Sequence, residues 1–439
     1  MSAIPTPSPT PGDTSWFVRD RFGMFIHWGL YALGARHEWL QHHEEIPGDV
    51  YHSRYFRHFD PDLYDPKVWA EAARDAGMKY FVVTTKHHEG FCLWDSAHTD
   101  YKVTNTPYGR DVLTPMVDAF RSEGMRVGFY HSLIDWHHPQ YAIDPYIGPY
   151  RNADDREAMN ATRDQAKYAD YLHAQVRELL TGFGTVDVMW FDFSFPQRGP
   201  EGKGRDAWRS EELYTTVREL MPDVVLNDRL DLPEGWDVKT PEQYQPQRWF
   251  TVDGRPVVWE ACQTFSGSWG YHREEASWKS PEMLVQMLAD TVSKGGNLLL
   301  NVGPTGRGEF DERALDRLQA MGEWMYRHDR SIYGCTQAPS GFEAPQDCRL
   351  TYNPETNRLY VHLFAWPFKH LHLRGKAFAE RVEYAQLLND ASEVPMRQSS
   401  GGIETAGAQP EGGNEPTLTL TLPVEKPRVL VPVIELYLK

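Results

Sequence analysis

At 439 residues the chain is long enough for two or three domains. Hydrophobic residues at 41% and charged residues at 24% exclude a wholly disordered or fibrous chain. A formal charge of −17 opposes phosphate backbones and anionic lipid, so neither nucleic acid nor a membrane is an expected partner. Aromatic residues reach 13%, a content that suits ligands presenting C–H faces beside hydroxyls but equally suits core packing.

The first 15 residues, MSAIPTPSPTPGDTS, are rich in Pro, Ser and Thr and read as a disordered tail. They lack a basic start and an apolar run, and no later stretch is long and apolar enough to span a bilayer. The expected location is the cytoplasm, where imported oligosaccharides would be the substrates on hand. Residues 16–335 alternate apolar runs with helical patterns. Expected strands are GMFIHW (23–28), YFVVTT (80–85), RVGFYHS (126–132), VDVMWFDF (186–193), DVVLND (223–228), WDVKT (236–240), VVWEACQ (257–263) and NLLLNVG (297–303). Expected helices cover 66–76, 113–123, 163–181, 209–220, 281–293 and 312–328. Eight strands apolar on both faces and interleaved with helices predict an α/β fold, a (β/α)8-like TIM barrel. A doubly wound sheet is the runner-up, weakened because no glycine-rich phosphate loop follows the first strand.

Residues 340–439 change texture to short alternating runs separated by Asn, Gly and Pro, with NPETN marking a hairpin. They predict a C-terminal antiparallel β-sandwich, with 399–415 as a long loop. The four cysteines, Cys92, Cys262, Cys335 and Cys348, form no CxxC pair and are expected as buried free thiols.

In a parallel barrel the chemistry gathers at the C-terminal ends of the strands. His27, the run Lys86-His87-His88-Glu89, Tyr130, Asp192, Asn227-Asp228-Arg229, Glu242, Glu260 and Asn301 stand at or near those ends. Alternation puts Val188, Trp190 and Asp192 on one face of the fourth strand. One such Asp is ordinarily a turn cap or an Arg partner. Repeated polar strand ends shift the balance toward a site. Paired carboxylates there point to glycoside hydrolysis, with Asp192 as one member and Glu242 or Glu260 as the other. The histidines and Arg229 would donate to sugar hydroxyls, and Trp190 and Trp269 would stack on the ring. A zinc hydrolase is the rival, but strand one has no paired ligands two residues apart. The lone HxH, His370-Leu371-His372, is explained by a strand's solvent face. No G-x-S-x-G follows a strand, which disfavours a serine hydrolase. No metal or other cofactor is expected.

The blocks FGMFIHWGLYAL (from Phe22), HEW (from His37), AGMKYFVVTTKHHEGFCLWDS (from Ala76), GRDVL (from Gly109), VGFYHSLIDWHHP (from Val127), VMWFDF (from Val188), VVLNDR (from Val224), WEACQTFSGSWGY (from Trp259) and SKGGNLLLNVGPTGRGEF (from Ser293) stand in one order over nearly the whole barrel. In them the chain resembles the α-L-fucosidases of glycoside hydrolase family 29. The resemblance implies a barrel followed by a β-sandwich, and a retaining exo-glycosidase that removes terminal α-L-fucose from oligosaccharides or glycoconjugates through a covalent fucosyl-enzyme. It implies that Asp192 is the nucleophile and that His27, Glu38, His87, His88, Tyr130, Trp190, Arg229 and Trp269 surround fucose and enclose its C5 methyl. Phe193 stands where the family commonly has glycine, a departure expected to narrow the floor of the site. His131 is expected on the opposite face, without a catalytic role. The acid/base has no alignable motif; Glu242 is preferred, with Glu260 as the alternative. The other functional readings are a related sugar on the same fold, or a catalytically silent carbohydrate-binding protein. A homo-oligomer is compatible with all of them.

Overall fold

The computed structural model describes residues 4–199, 201–399 and 415–439. Seven strands form one parallel sheet: β1 (Phe22–Ile26), β2 (Tyr80–Lys86), β3 (Arg126–Ser132), β4 (Val188–Asp192), β5 (Val225–Leu226), β6 (Glu260–Thr264) and β7 (Asn297–Val302). Their order is β5-β4-β3-β2-β1-β7-β6, so the first strand is an interior strand of the sheet. Helices α1 (Pro66–Asp75), α2 (Leu113–Ser122), α3 (Gln165–Gly182), α4 (Ser210–Leu220), α5 (Pro281–Val292) and α6 (Glu312–His328) agree with the helical periodicity to within two residues at each end. Asp65, Asp164, Ser280 and Asp311 cap α1, α3, α5 and α6 by accepting first-turn N–H groups.

Alternation sorts the strand side chains into two cores. Phe25, Val82, Tyr130, Val188, Trp190, Cys262 and Leu299 fill the barrel interior. Met24, Phe81, Phe129, Met189 and Leu298 face the helices.

The sixth strand expected at 236–240 is not a strand. The segment closes the circle through single parallel bridges, Asn227 to Val238, Lys239 to Trp259 and Glu242 to Cys262. Side chains take over from backbone pairing here. The Asn227 amide accepts from Phe191 N at 2.9 Å and donates to Phe191 O at 2.8 Å, as a strand partner would, which ends β5 after two residues. Asp228 accepts from Thr240 N at 3.2 Å and Thr240 Oγ1 at 2.8 Å. Pro241 has no N–H to offer a ladder. The result is an eight-membered barrel whose sixth member is irregular.

Within the N-terminal segment expected to be disordered, the stretch around residues 8–13 is instead held against this part of the barrel. Ser8 N donates to Pro256 O at 2.9 Å and Gly12 N to the buried Asp237 carboxylate at 2.6 Å. A built Cβ at Gly12 would stand 2.3 Å from Val224 O, so glycine permits the close approach. Pro/Ser/Thr composition reports a weak hydrophobic drive, and a few backbone bonds to barrel loops override it.

The C-terminal part is antiparallel. One sheet orders Thr336–Gln337, Cys348–Asn353, Arg358–Leu363, Val433–Leu438 and Val382–Leu387; a second orders His370–Arg374, Thr417–Thr421 and Met396–Ser399. Leu350, Val361, Leu373, Leu418, Leu420 and Leu436 pack between them. The NPETN hairpin is present, with Asn353 Oδ1 accepting from Glu355 N and Thr356 N. His370 and His372 lie on the exposed face of their strand, as alternation predicts. The loop expected over 399–415 lies almost wholly outside the described residues. All four cysteines are buried and free. Among the described residues no helix is long and apolar enough to cross a membrane. The sandwich is fixed to the barrel by Trp324 Nε1 donating to Val431 O at 2.7 Å and by Arg349 paired with Asp290 at 2.5 Å.

One buried ion pair supports the loops above β2 and β3. Lys86 Nζ stands 3.3 Å from Asp135 Oδ2, with both side chains shut off from solvent. Asp135 also accepts from His137 N and His138 N. Replacing Lys86 by Met leaves an uncompensated buried carboxylate, a loss of about 3–5 kcal/mol. Urea unfolding should show a clearly lowered midpoint; an unchanged midpoint would refute a structural role for this pair.

Candidate active site

A cavity opens at the C-terminal ends of the strands. It is lined by Phe25, His27, Trp39, His87, His88, Tyr130, Trp190, Asp192, Phe193, Glu242, Cys262 and Trp269. Asp192, the last residue of β4, forms its floor. Tyr130 Oη donates to Asp192 Oδ2 at 2.8 Å, and Arg229 Nη1 donates to Oδ1 at 3.2 Å. The other terminal nitrogen of Arg229 donates to Glu242 Oε2 at 3.1 Å, so a single guanidinium spans both carboxylates. Arg229 is aimed by Thr240, which accepts its Nε and Nη2 at 3.0 Å each, and it lies 4.9 Å over the Trp190 ring. Glu242 sits at the mouth, its side chain 42% exposed against 13% for Asp192. Burial pushes the Asp192 carboxyl up to about 6, with Arg229 and the Tyr130 hydroxyl pulling it down and Glu242 adding to the rise.

Two histidines have their tautomers fixed by their neighbours. Asn301 Nδ2 donates to Trp269 O at 2.6 Å, which assigns the amide, so Asn301 Oδ1 must accept from His27 Nδ1 at 2.6 Å. Ser132 Oγ donates to Ile134 O at 2.7 Å and so accepts from His88 Nδ1, also at 2.7 Å. Burial holds His27 down to about 3 and His88 well below its ordinary value, so both rings are neutral. Each therefore keeps Nε2 as an acceptor; that of His88 lies 3.7 Å from Asp192 Oδ2. The sequence assigned these histidines the role of donors to sugar hydroxyls. The hydrogen bonds reverse it: their free nitrogens accept.

The His87-His88 pair can face the cavity together because the chain turns sharply behind it. Gly90 has φ +83°, and a Cβ there would lie 2.3 Å from Asp135 Oδ1.

Two expected residues stand elsewhere. Glu260, at the first position of β6, is wholly buried at the opposite end of the barrel interior, where Tyr80 Oη donates to it at 2.5 Å. Arg229 is engaged by Asp192 and Glu242, not by Glu260. Burial raises the Glu260 carboxyl to about 8. Glu38 is also outside the lining. Its Oε2 accepts from Trp269 N at 3.2 Å and Gly270 N at 2.8 Å, so it shapes the turn that presents the Trp269 ring. His131 faces away from the cavity toward Thr85, as alternation predicts.

The sequence list omitted four lining residues. Phe25 shares a strand face with His27, Trp39 follows Glu38 in the HEW block, and Cys262 shares a face with Glu260; alternation or adjacency could have found each. Phe193 was noted only as a departure. Its φ is +80°, the left-handed region that explains why glycine is common there. A bulky residue in that region costs about 1–3 kcal/mol, offset by packing of its ring on Trp39 at 5.4 Å and His88 at 5.1 Å.

A family model for α-L-fucosidase matches residues 10–330. The chain belongs to the α-L-fucosidase family. Among solved structures, it is similar to α-L-fucosidase isoenzyme 1 from Paenibacillus thiaminolyticus, with 42% identity over 97% of this chain and 98% of that one and a TM-score of 0.87. It is also similar to a family 29 α-L-fucosidase from Bacteroides thetaiotaomicron, trapped as a covalent intermediate with 2-fluoro-fucosyl fluoride in a Glu-to-Gln variant (28% identity, 99% of this chain, 98% of that one, TM-score 0.81). Human plasma α-L-fucosidase is 29% identical over 80% of this chain and 76% of its own length. The likeness to the bacterial structures extends over barrel and sandwich alike, which establishes the TIM barrel with a C-terminal β-sandwich.

Proposed function

We propose that this member of the family is a retaining exo-α-L-fucosidase in which Asp192 attacks the anomeric carbon and Glu242 is the acid/base. The observation that carries the assignment is the Arg229 guanidinium in contact with both carboxylates, one on the cavity floor and one at its mouth. Retaining enzymes set their two carboxyl groups about 5 Å apart, and a bridge through one guanidinium favours such a short spacing. In the first step Asp192 forms a bond to C1 as the glycosidic C1–O bond breaks, and Glu242 gives its proton to the departing oxygen. In the second, a water attacks C1, Glu242 takes its proton, and the Asp192 carboxylate leaves. The depth of Asp192 suits a terminal sugar, and the exposure of Glu242 suits a group that meets leaving sugar and water in turn. His27 and His88 would accept from sugar hydroxyls through Nε2, and the Phe25–Trp269 wall would take the C5 methyl. A fucosyl-enzyme trapped in the Bacteroides relative supports the covalent route.

Proton NMR of early hydrolysis of an aryl α-L-fucoside should show the α-anomer of fucose first; the β-anomer first would overturn retention. The reacting form of Asp192 is the anion, and burial raises its carboxyl to about 6. As pH falls through that value the anion is protonated, so kcat/KM should drop about tenfold per unit below it. A profile flat down to pH 4 would contradict the assignment.

A further inference from the structure

Glu242 is carried by no regular element. The chain around it is bonded to β6, where Pro241 O accepts from Cys262 N at 3.2 Å and Gln243 N donates to Cys262 O at 3.0 Å. Gln243 then takes φ +48°, a left-handed conformation that a residue with a Cβ keeps only where its surroundings enforce it. Residues 242–244 are exposed, so packing over them does not supply that constraint. The chain is caught again at Gln245. Its amide nitrogen donates to Thr291 Oγ1 at 2.9 Å and to Asp290 Oδ2 at 3.0 Å, both in the last turn of α5. The Thr291 hydroxyl donates to Met287 O at 2.8 Å, which leaves its oxygen to accept.

Asp290 is held from two further sides. Lys294 Nζ lies 2.6 Å from Oδ2, and Arg349 Nε, on the sandwich strand Cys348–Asn353, lies 2.5 Å from Oδ1. Arg349 also donates to Cys348 O at 2.8 Å and lies over the Phe364 ring at 5.2 Å. A continuous set of polar contacts therefore runs from the sandwich to a residue three positions past Glu242.

We propose that Gln245 is a positioning residue for Glu242, and that the sandwich, through Arg349 and Asp290, holds it in place. The proposal rests on the reading of Glu242 as the acid/base. Arg229 and Thr240 fix the approach to Glu242 from one side, and Gln245 supplies the fixed end on the other. Gln245 does not line the cavity, so it acts through the turn at Gln243. A carboxyl that must reach both a departing oxygen and a water loses on the order of 10²-fold when misplaced by about 1 Å.

The test compares kcat/KM for a fucosyl disaccharide, whose leaving oxygen needs a proton, with kcat/KM for fucosyl fluoride, whose leaving group does not. Both are read on one enzyme sample, so their ratio is independent of how much of it is folded. In Gln245→Leu, which keeps the bulk and removes the donors, the disaccharide-to-fluoride ratio should fall about tenfold from the wild-type value. Gln245→Lys restores a donor facing Asp290 and should recover most of the ratio. Arg349→Met cuts the tie at the sandwich and should lower the ratio about threefold. Glu242→Gln is the reference in the same assay. A ratio unchanged in both Gln245→Leu and Arg349→Met, but lowered in Glu242→Gln, overturns the positioning role and leaves the acid/base reading intact. A fall in Gln245→Leu without one in Arg349→Met overturns the part given to the sandwich. A ratio unchanged in Glu242→Gln as well overturns both readings.

Discussion

Replacing Asp192 by Gly should abolish turnover of an aryl α-L-fucoside, by a factor on the order of 10⁴ or more, since covalent catalysis has no substitute once its nucleophile is gone. Sodium azide should restore part of the rate and yield a fucosyl azide, because the small anion fits where the carboxylate stood and the leaving group can still depart. Tyr130 and Arg229 each lose a hydrogen-bond acceptor in this variant. Some loss of stability is therefore expected, and a folded variant, judged by circular dichroism, is needed for a sound comparison. Rescue by azide identifies position 192 as the site of attack in a way that loss of activity alone does not. A folded Asp192→Gly protein that retains a tenth of the wild-type rate would remove Asp192 from the mechanism.

Much of this was legible in the sequence, for reasons that differ between elements. Helices α1–α6 were readable because 3.6-residue spacing is a local signal, and α1, α3, α5 and α6 carry a capping residue besides. Period-2 alternation places Trp190 and Asp192 inward and His131 outward. The sixth barrel strand failed because WDVKT has the composition of a strand, while what decides its conformation lies outside it: the Asn227 amide, the Asp228 carboxylate and the adjoining Pro241. The N-terminal segment failed for a related reason, since its anchor is the carboxylate of Asp237, 225 positions along the chain from Gly12. Site residues divide the same way. His27, His87, His88, Tyr130, Trp190, Asp192, Glu242 and Trp269 line the cavity, whereas Glu260 is buried below it and Glu38 Oε2 caps the Trp269–Gly270 backbone. Histidine polarity was unreadable too, because it depends on Asn301 and Ser132 partners brought in by the fold.

The choice between Glu242 and Glu260 reduces to access. Glu260 lies two residues, about 7 Å, nearer the start of β6 than Cys262, the residue bridged to Glu242. It is fully buried and hydrogen-bonded to Tyr80, so neither a leaving sugar nor a hydrolytic water can reach it. A general acid is needed in proportion to the basicity of the leaving group. Glu242→Gln should therefore cut kcat/KM for a fucosyl disaccharide by about 10²–10⁴-fold. It should slow formation of the fucosyl-enzyme from fucosyl fluoride far less, because fluoride departs without a proton. The variant would also lack the base for the second step, so fucosyl-enzyme should accumulate with fluoride as substrate, detectable by intact-protein mass spectrometry, and azide should discharge it. Glu260→Gln keeps a hydrogen-bonding group of the same size beside Tyr80 and should shift both substrates equally if it shifts either. The reverse pattern, with leaving-group dependence in Glu260→Gln and none in Glu242→Gln, would transfer the role. That outcome would require the barrel interior to open by several ångströms during turnover, against the packing of Tyr80, Trp16 and Phe17 at its base.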